Sequence, residues 1–267
     1  TGANTIWRSA NSATPQAVTA ITNLQWRVAG VGDFDNTNTA DLMWRNASTG
    51  ANVIWRAANS TTQTAVATVG TQWSVVGTAD FSGDGRDDLL WRNGTTGANV
   101  IWRSGSSATQ TTVASMTNLQ WRVAGVGDFS ADGRADVLWR NSSTGANIIW
   151  RNAVSTAATT TATLSTAWAV AGIGDFNGDR NADILWRNAT TGANVLWRAG
   201  TNNSPSTLTS LSSAWRVAAV ADYNGDGRDD ILWRNTSTGA NAIWRSGLST
   251  TPQAVTTQAS QAWQVVP

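Results

Sequence analysis

The chain has 267 residues with 18 basic and 17 acidic side chains, a net charge of +1, no Cys and no His. Every cation is Arg and every anion is Asp, so the commonest general acid and base groups are missing, and so is any disulfide or thiolate chemistry. A net charge this small argues for no nucleic-acid partner, and no apolar run approaches the roughly 18 residues of a membrane span.

Seventeen tryptophans set the frame. Trp26, Trp73, Trp121, Trp168, Trp215 and Trp263 lie 47, 48, 47, 47 and 48 residues apart. Two further series, Trp7/Trp55/Trp102/Trp150/Trp197/Trp244 and Trp44/Trp91/Trp139/Trp186/Trp233, keep that spacing. Such a period marks tandem supersecondary units that close or stack, and it predicts one repeat-built domain over 1–267.

Residues 1–25 enter the pattern part-way, with strands predicted over 4–8 and 16–20. A chain that starts in mid-repeat reads as a processed or excised product. Five full units follow, at 26–72, 73–120, 121–167, 168–214 and 215–262. In the last of these, Trp215-Arg216-Val217-Ala218-Ala219-Val220 is apolar and β-branched, as a buried inner strand should be. An acidic, glycine-bearing loop runs from Asp222 to Asp230, and Ile231-Leu232-Trp233-Arg234 is a second strand. The run Asn235-Thr236-Ser237-Thr238-Gly239 supplies turn chemistry. Asn241 to Arg245 is a third strand, and the polar Gln253-Ala254-Val255-Thr256-Thr257 suits an edge.

Four antiparallel strands per unit, repeated, predict an all-β propeller with essentially no helix. Residues 263–267 add one more strand of the first type. Together with residues 1–25 they would make a closing blade of three strands, a device that removes sheet edges. Six blades are therefore expected, the last incomplete; five blades with spare terminal strands are the alternative.

Fourteen of the 18 Arg directly follow a Trp, the others being Arg86, Arg134, Arg180 and Arg228. Neighbours in a strand point to opposite faces. One reading packs Trp between blades, with guanidinium planes stacked on the rings and bonded to loop carbonyls or Asp. The other gives one Trp series to a sugar pocket, where the indole face meets the C–H face of a pyranose. Seventeen Trp are too many to be exposed together, so packing accounts for most of them.

All 17 Asp fall in five aligned nine-residue loops or at their exits. Oxygen side chains at positions 1, 3 and 5 and a carboxylate at 9 are the hard ligands that Ca²⁺ prefers. The candidates are Asp33, Asp35 and Asp41; Asp80, Ser82, Asp84 and Asp88; Asp128, Ser130, Asp132 and Asp136; Asp175, Asn177, Asp179 and Asp183; and Asp222, Asn224, Asp226 and Asp230. Thr37 takes position 5 of the first loop, and Arg180 stands where the fourth would carry Gly. These are not EF-hands, because position 12 of the second loop is Trp91 rather than a bidentate Glu. A tight turn whose Asp side chains bond nearby amides is the alternative. Three carboxylates within nine residues repel without a cation, which favours a structural metal.

The run Gly-Asp-Phe-Asn-Gly-Asp-Arg-Asn-Ala-Asp-Ile-Leu-Trp-Arg-Asn at 174–188 and its four counterparts resemble FG-GAP/VCBS-type repeats. That resemblance implies integrin-α-like propellers with Ca²⁺ loops. Joined to the inner-strand Trp26-Arg27-Val28, Trp121-Arg122-Val123 and Trp215-Arg216-Val217, it is also similar to the Psathyrella velutina-type lectins. The second likeness implies pockets between blades for N-acetylglucosamine-type sugars.

Two functions are therefore expected to compete. The first is a secreted or cell-surface, multivalent lectin whose near-identical units supply near-identical sites. Its candidate pocket residues flank the second hairpin of each blade: Asn52 and Trp55, Asn99 and Trp102, Asn147 and Trp150, Asn194 and Trp197, and Asn241 and Trp244. Asn offers both donors and acceptors to hydroxyl or acetamido groups; each Asn satisfying its own hairpin is the alternative. The second function is a non-enzymatic adhesion or scaffold module that binds proteins. An enzyme is not expected, since no carboxylate lies outside the loops. Asn46, Asn93, Asn141, Asn188 and Asn235 form N-x-Ser/Thr sequons that double as turn chemistry.

Overall fold

The computed structural model describes residues 1–250 and 252–265. Its regular structure is short strands joined by three-residue 3₁₀ turns, with no α-helix among the described residues. None of its helical turns is long and apolar enough to cross a membrane.

Each tandem unit forms one four-stranded antiparallel sheet with its strands in sequence order. The five blades cover 26–66, 73–113, 121–161, 168–208 and 215–255. In blade 3 the inner strand Trp121–Gly127 pairs with Asp136–Asn141, which pairs with Asn147–Trp150 and then with the outer Ala158–Thr161. The inner pair slips register between Val123 and Gly125, and every blade has this bulge at the same place. A bulge adds local twist, which a radial blade needs. The glycine at the slip has a packing reason as well. A Cβ on Gly125 would lie 2.6 Å from Ile173 Cγ1 of the next blade, so the inner strands come too close for a side chain.

The core lies between blades, not within them. Trp139 is fully buried against Phe81, Leu90 and Ile101 of blade 2, and Trp186 and Trp197 of blade 4 fill the same place against Phe129, Leu138 and Ile149 of blade 3. The Arg92 guanidinium sits 4.8 Å from the Trp139 ring centroid, and Arg45, Arg140 and Arg187 repeat the stack on Trp91, Trp186 and Trp233. An indole that buries ~150–250 Å² contributes about 4–6 kcal/mol at ~25 cal/mol/Å², and the desolvated cation adds about 1–2 more. Blades are also tied by backbone bonds, such as Ala135 N to Asp80 O at 2.8 Å and Ala182 N to Asp128 O at 2.7 Å.

The termini correct the six-blade expectation. The strands Asn4–Ile6 and Gln16–Val18 pair only with each other, and residues 263–265 form no strand. Val266 and Pro267 of the expected closing strand lie outside the described residues. The alternative, five blades with spare terminal strands, is the architecture found. The two terminal strands form a hairpin of their own. That hairpin packs Ala10 on Ala219, Leu232 and Ile243 of blade 5, and Val18, Ile6 and Ile21 on Trp44 and Trp55 of blade 1. It thus bridges the first and last blades.

Candidate functional site

Each acidic loop joins an inner strand to the second strand, so all 17 Asp gather at one end of the ring. The first Asp of each loop folds it by accepting amide hydrogen bonds. Asp222 accepts from Gly227 at 2.8 Å and from Gly225, Asp226 and Asn224. These donors, Gly227 foremost, hold its carboxyl below the usual carboxylate range, so it is anionic at neutral pH.

The ninth-position Asp41, Asp88, Asp136, Asp183 and Asp230 are completely buried. Asp136 shows their task. It accepts from Phe129 N at 2.9 Å, from Asn152 N at 2.7 Å and from Arg151 Nη1 at 3.0 Å. Asn152 has φ 51°, a left-handed conformation costly to a non-glycine residue, and Ala57, Ser104, Ala199 and Ser246 repeat it. The hydrogen bond that the Asn152 amide donates to the buried Asp136 carboxylate holds that turn in place. Arg56, Arg198 and Arg245 pair with their Asp as Arg151 does, at a 15-residue spacing that sequence pattern did not flag. Asp88 makes no such ion pair with Arg103 among the described residues, and burial pushes its carboxyl up to about 6.

The donor chemistry of the loops fits Ca²⁺, because the facing groups are oxygens. Asp33, Asp35 and Asp41 each offer a carboxylate oxygen, all within 4.8 Å of one another, and no other such trio occurs among the described residues. This is the loop in which Thr37 replaces an Asp; the Thr37 hydroxyl donates to Asp35 at 2.8 Å. In the other four loops Asp80, Ser82 and Asp84, Asp128, Ser130 and Asp132, Asp175, Asn177 and Asp179, and Asp222, Asn224 and Asp226 share the same exposed turn, with Asp88, Asp136, Asp183 and Asp230 buried beneath.

The residues expected to line a sugar pocket are placed in the interior. Asn52, Asn99, Asn147, Asn194 and Asn241 are at most 7% exposed, and Trp55, Trp102, Trp150, Trp197 and Trp244 at most 6%. Asn147 accepts from Arg140 Nη1 at 3.0 Å and donates to Gly145 O at 3.1 Å and Ala162 O at 2.7 Å. Each Asn is thus a staple between its turn and the outer strand, and each Trp is tilted onto its neighbour, as Trp150 is onto Trp139 at 4.9 Å. The ring faces are covered and each Asn spends its hydrogen bonds on its own hairpin, whereas the buried Nε1 groups of Trp55 and Trp102 have no partner among the described residues; the hairpin reading accounts for the Asn and packing for the Trp. The turn itself needs Gly145 at φ 75°, where a Cβ would meet Leu164 O at 1.7 Å. The sequon residues serve turns too: Asn141 Oδ1 accepts from Ser143 N and Thr144 N, both at 3.0 Å.

The accessible aromatic series is instead the first. Trp26, Trp73, Trp121, Trp168 and Trp215 are half-buried at the end of the ring away from the acidic loops. Between blades 3 and 4 a cleft of about 300 Å³ is lined by Arg122, Arg140, Ser142, Thr166 and Trp168. A second cleft, of about 220 Å³, lies nearer the rim between the same blades, lined by Arg151, Thr161, Thr201 and Asn202. Sequence pattern missed the first cleft because it joins two inner strands 47 residues apart. The signal available was the Trp-Arg-Val run, in which Trp and Arg must face opposite sides.

A repeat profile described as FG-GAP-like repeat matches residues 80–139, 128–186 and 175–233, more than half of the chain. Compared with curated proteins, the sequence has no significant match. Among solved structures, an Agrocybe aegerita lectin reported to recognise non-reducing terminal N-acetylglucosamine is 14% identical, with a TM-score of 0.59 over 98% of this chain and 76% of the lectin. A chain of a nidogen–laminin complex is 12% identical, with a TM-score of 0.57 and coverage of 90% and 83%. A streptogramin B lyase is 12% identical, with a TM-score of 0.55 and coverage of 94% and 76%. At such identities the likeness is one of fold.

Proposed function

The chain belongs to the FG-GAP-like repeat family, and from that premise we propose that it is a multivalent carbohydrate-binding lectin with structural Ca²⁺ loops. The observation that carries this reading is the inter-blade cleft, where the half-buried Trp168 stands beside Ser142, Thr166 and two guanidinium groups. An indole face beside convergent hydroxyl and cationic donors matches the alternating apolar and polar faces of a sugar ring. The same tryptophan recurs in every blade, so individually weak sites reinforce one another on a glycan-bearing surface. N-acetylglucosamine-type sugars are the first candidates, because the Agrocybe aegerita lectin shares the fold.

Ca²⁺ has a supporting role in this reading. Asp33, Asp35 and Asp41 would hold it in the first loop, and when bound it supplies the positive charge that lets the carboxylates crowd. The loops lie at the far end from the cleft, so the ion acts on stability and not on sugar contact. We take the ring to be non-catalytic. Four of its ninth-position carboxylates are fixed by amides and Arg, Asp88 by the amides of Phe81 and Ser104, and the chain has no His, Cys or Glu. A secreted or cell-surface location follows from the role. The rival reading, an adhesion module for protein partners, draws on the polar, exposed outer strands such as Gln110–Val113.

A glycan array run with and without EDTA tests the proposal. Signal is expected from the native chain, lost on joint substitution of Trp73, Trp121 and Trp168 by Ala, and kept in EDTA while the ring stays folded. An empty array with tight capture of a protein partner would refute the lectin in favour of the adhesion module.

A further inference from the structure

The ring is electrically bipolar. Beside all 17 Asp lie ten arginines: four in the loops and six in the turns after the third-type strands. The opposite end carries the other eight, Arg27, Arg45, Arg92, Arg122, Arg140, Arg187, Arg216 and Arg234, and no carboxylate side chain at all. The small overall charge conceals this, because the two ends nearly cancel.

Strand register makes the basic end unusual. Arg27 lies opposite Arg45, Arg122 opposite Arg140, and Arg216 opposite Arg234. Like charges directly across a ladder are destabilising, and none of these residues forms an ion pair among the described residues. The second-strand member of each pair is occupied: Arg140 donates to the carbonyls of Gly145, Leu164, Ser165 and Trp168. The inner-strand members Arg27, Arg122 and Arg216 are exposed, and their guanidinium groups make no hydrogen bond or ion pair among the described residues. Burial and then the neighbouring Arg122 charge depress Arg92, so the repulsion is felt across blades.

We propose that this end binds anionic glycans, with Arg122 donating to the carboxylate or sulfate of a sugar stacked on Trp168 in the cleft between blades 3 and 4. The inference rests on the lectin reading and narrows it to acidic saccharides. A planar guanidinium offers two parallel N–H donors to such a group, and the incoming charge relieves the Arg122–Arg140 repulsion. The exposed Arg recurs at Arg27 and Arg216 but is Ser74 in blade 2 and Ala169 in blade 4. Charged sites therefore alternate from blade 1 to blade 5, a discrete pattern that suits separate sugar termini better than a continuous phosphate backbone.

The test is calorimetric titration with a hyaluronan tetrasaccharide, its neutral methyl ester and a heparin-derived tetrasaccharide, at about 0.02 M and about 0.15 M salt. The triple variant Arg27→Ala, Arg122→Ala, Arg216→Ala is titrated alongside, with its melting temperature as a check on folding. The expected result is about tenfold tighter binding of an acidic sugar than of the ester, weakened by salt and abolished as a preference in the variant. Equal affinity for acid and ester, or a preference untouched in the variant, would overturn the inference while leaving the lectin standing. Failure to bind any saccharide, neutral ones included, would remove both. An oligonucleotide of equal charge that binds as tightly would also overturn it, showing a general polyanion surface.

Discussion

Replacing Asn147 by Ala tests whether the buried asparagines are staples. The side chain is fully buried and makes three hydrogen bonds, at 3.0 Å from Arg140 Nη1, 3.1 Å to Gly145 O and 2.7 Å to Ala162 O. The bond from a cation is worth about 1.5–3 kcal/mol and each neutral bond about 0.5–1.5 kcal/mol. Arg140 keeps its other carbonyl partners, so the variant should lose roughly 3 kcal/mol. In a ring of this size that lowers Tm by about 6–12 °C. Urea unfolding followed by tryptophan fluorescence reads the loss, and glycan binding per folded molecule should not change. A loss below about 1 kcal/mol, or a selective loss of sugar binding, would refute the staple and return Asn147 to the pocket.

Three further outcomes are expected. Val18→Asp puts a charge against Trp44, Trp55 and Ala58 and should cost about 3 kcal/mol in urea unfolding; a cost under about 0.5 kcal/mol would mean that the terminal hairpin does not close the ring. Ca²⁺ at a hundredfold excess over its Kd should stabilise the protein by about 2.7 kcal/mol per site, so EDTA should lower Tm in the native chain but less in Asp35→Asn; identical shifts would exclude the first loop as a site. The third concerns Asp88, whose folded pKa of about 6 lies above the ordinary 3.8. Between those values the folded state holds more protons than the unfolded state, so this residue's contribution is full below about pH 4 and is lost as pH rises through about 6. In EDTA, Asp88→Asn should therefore fall less in stability than the native chain between pH 4.5 and pH 7, and parallel curves would contradict the assignment.

Much of the fold is legible in the chain because it is local and repeated. The Trp period marks the units, the apolar inner strands mark their first member, and Asn-x-Ser/Thr-Thr-Gly turns mark the hairpins. The blade count is not local. It depends on whether the strand expected at 263–267 finds a partner, and residues 263–265 join no sheet. The site was less legible because spacing along a strand does not say which neighbour covers a face. Trp55 and Trp26 look alike as Trp-Arg dipeptides, yet the first packs under the hairpin of residues 4–18 and the second stays half-open. The left-handed turn at Ala57 was invisible for a different reason: its residues at positive φ are Ala57 and Ala58, where other blades carry a Gly such as Gly105, and a buried Asp 16 residues upstream holds it. Net charge misled most, since it sums two ends that the ring keeps apart.

The central claim is that the clefts lined by the first tryptophan series hold sugar. Crystals soaked with N-acetylglucosamine and with a hyaluronan tetrasaccharide test it most directly. The account predicts saccharide density against the Trp168 indole, within hydrogen-bond reach of Ser142 or Arg122, and repeated beside Trp73 and Trp121. Saccharide seated instead on the acidic-loop end, or clefts that stay empty while the array reports binding, would contradict it.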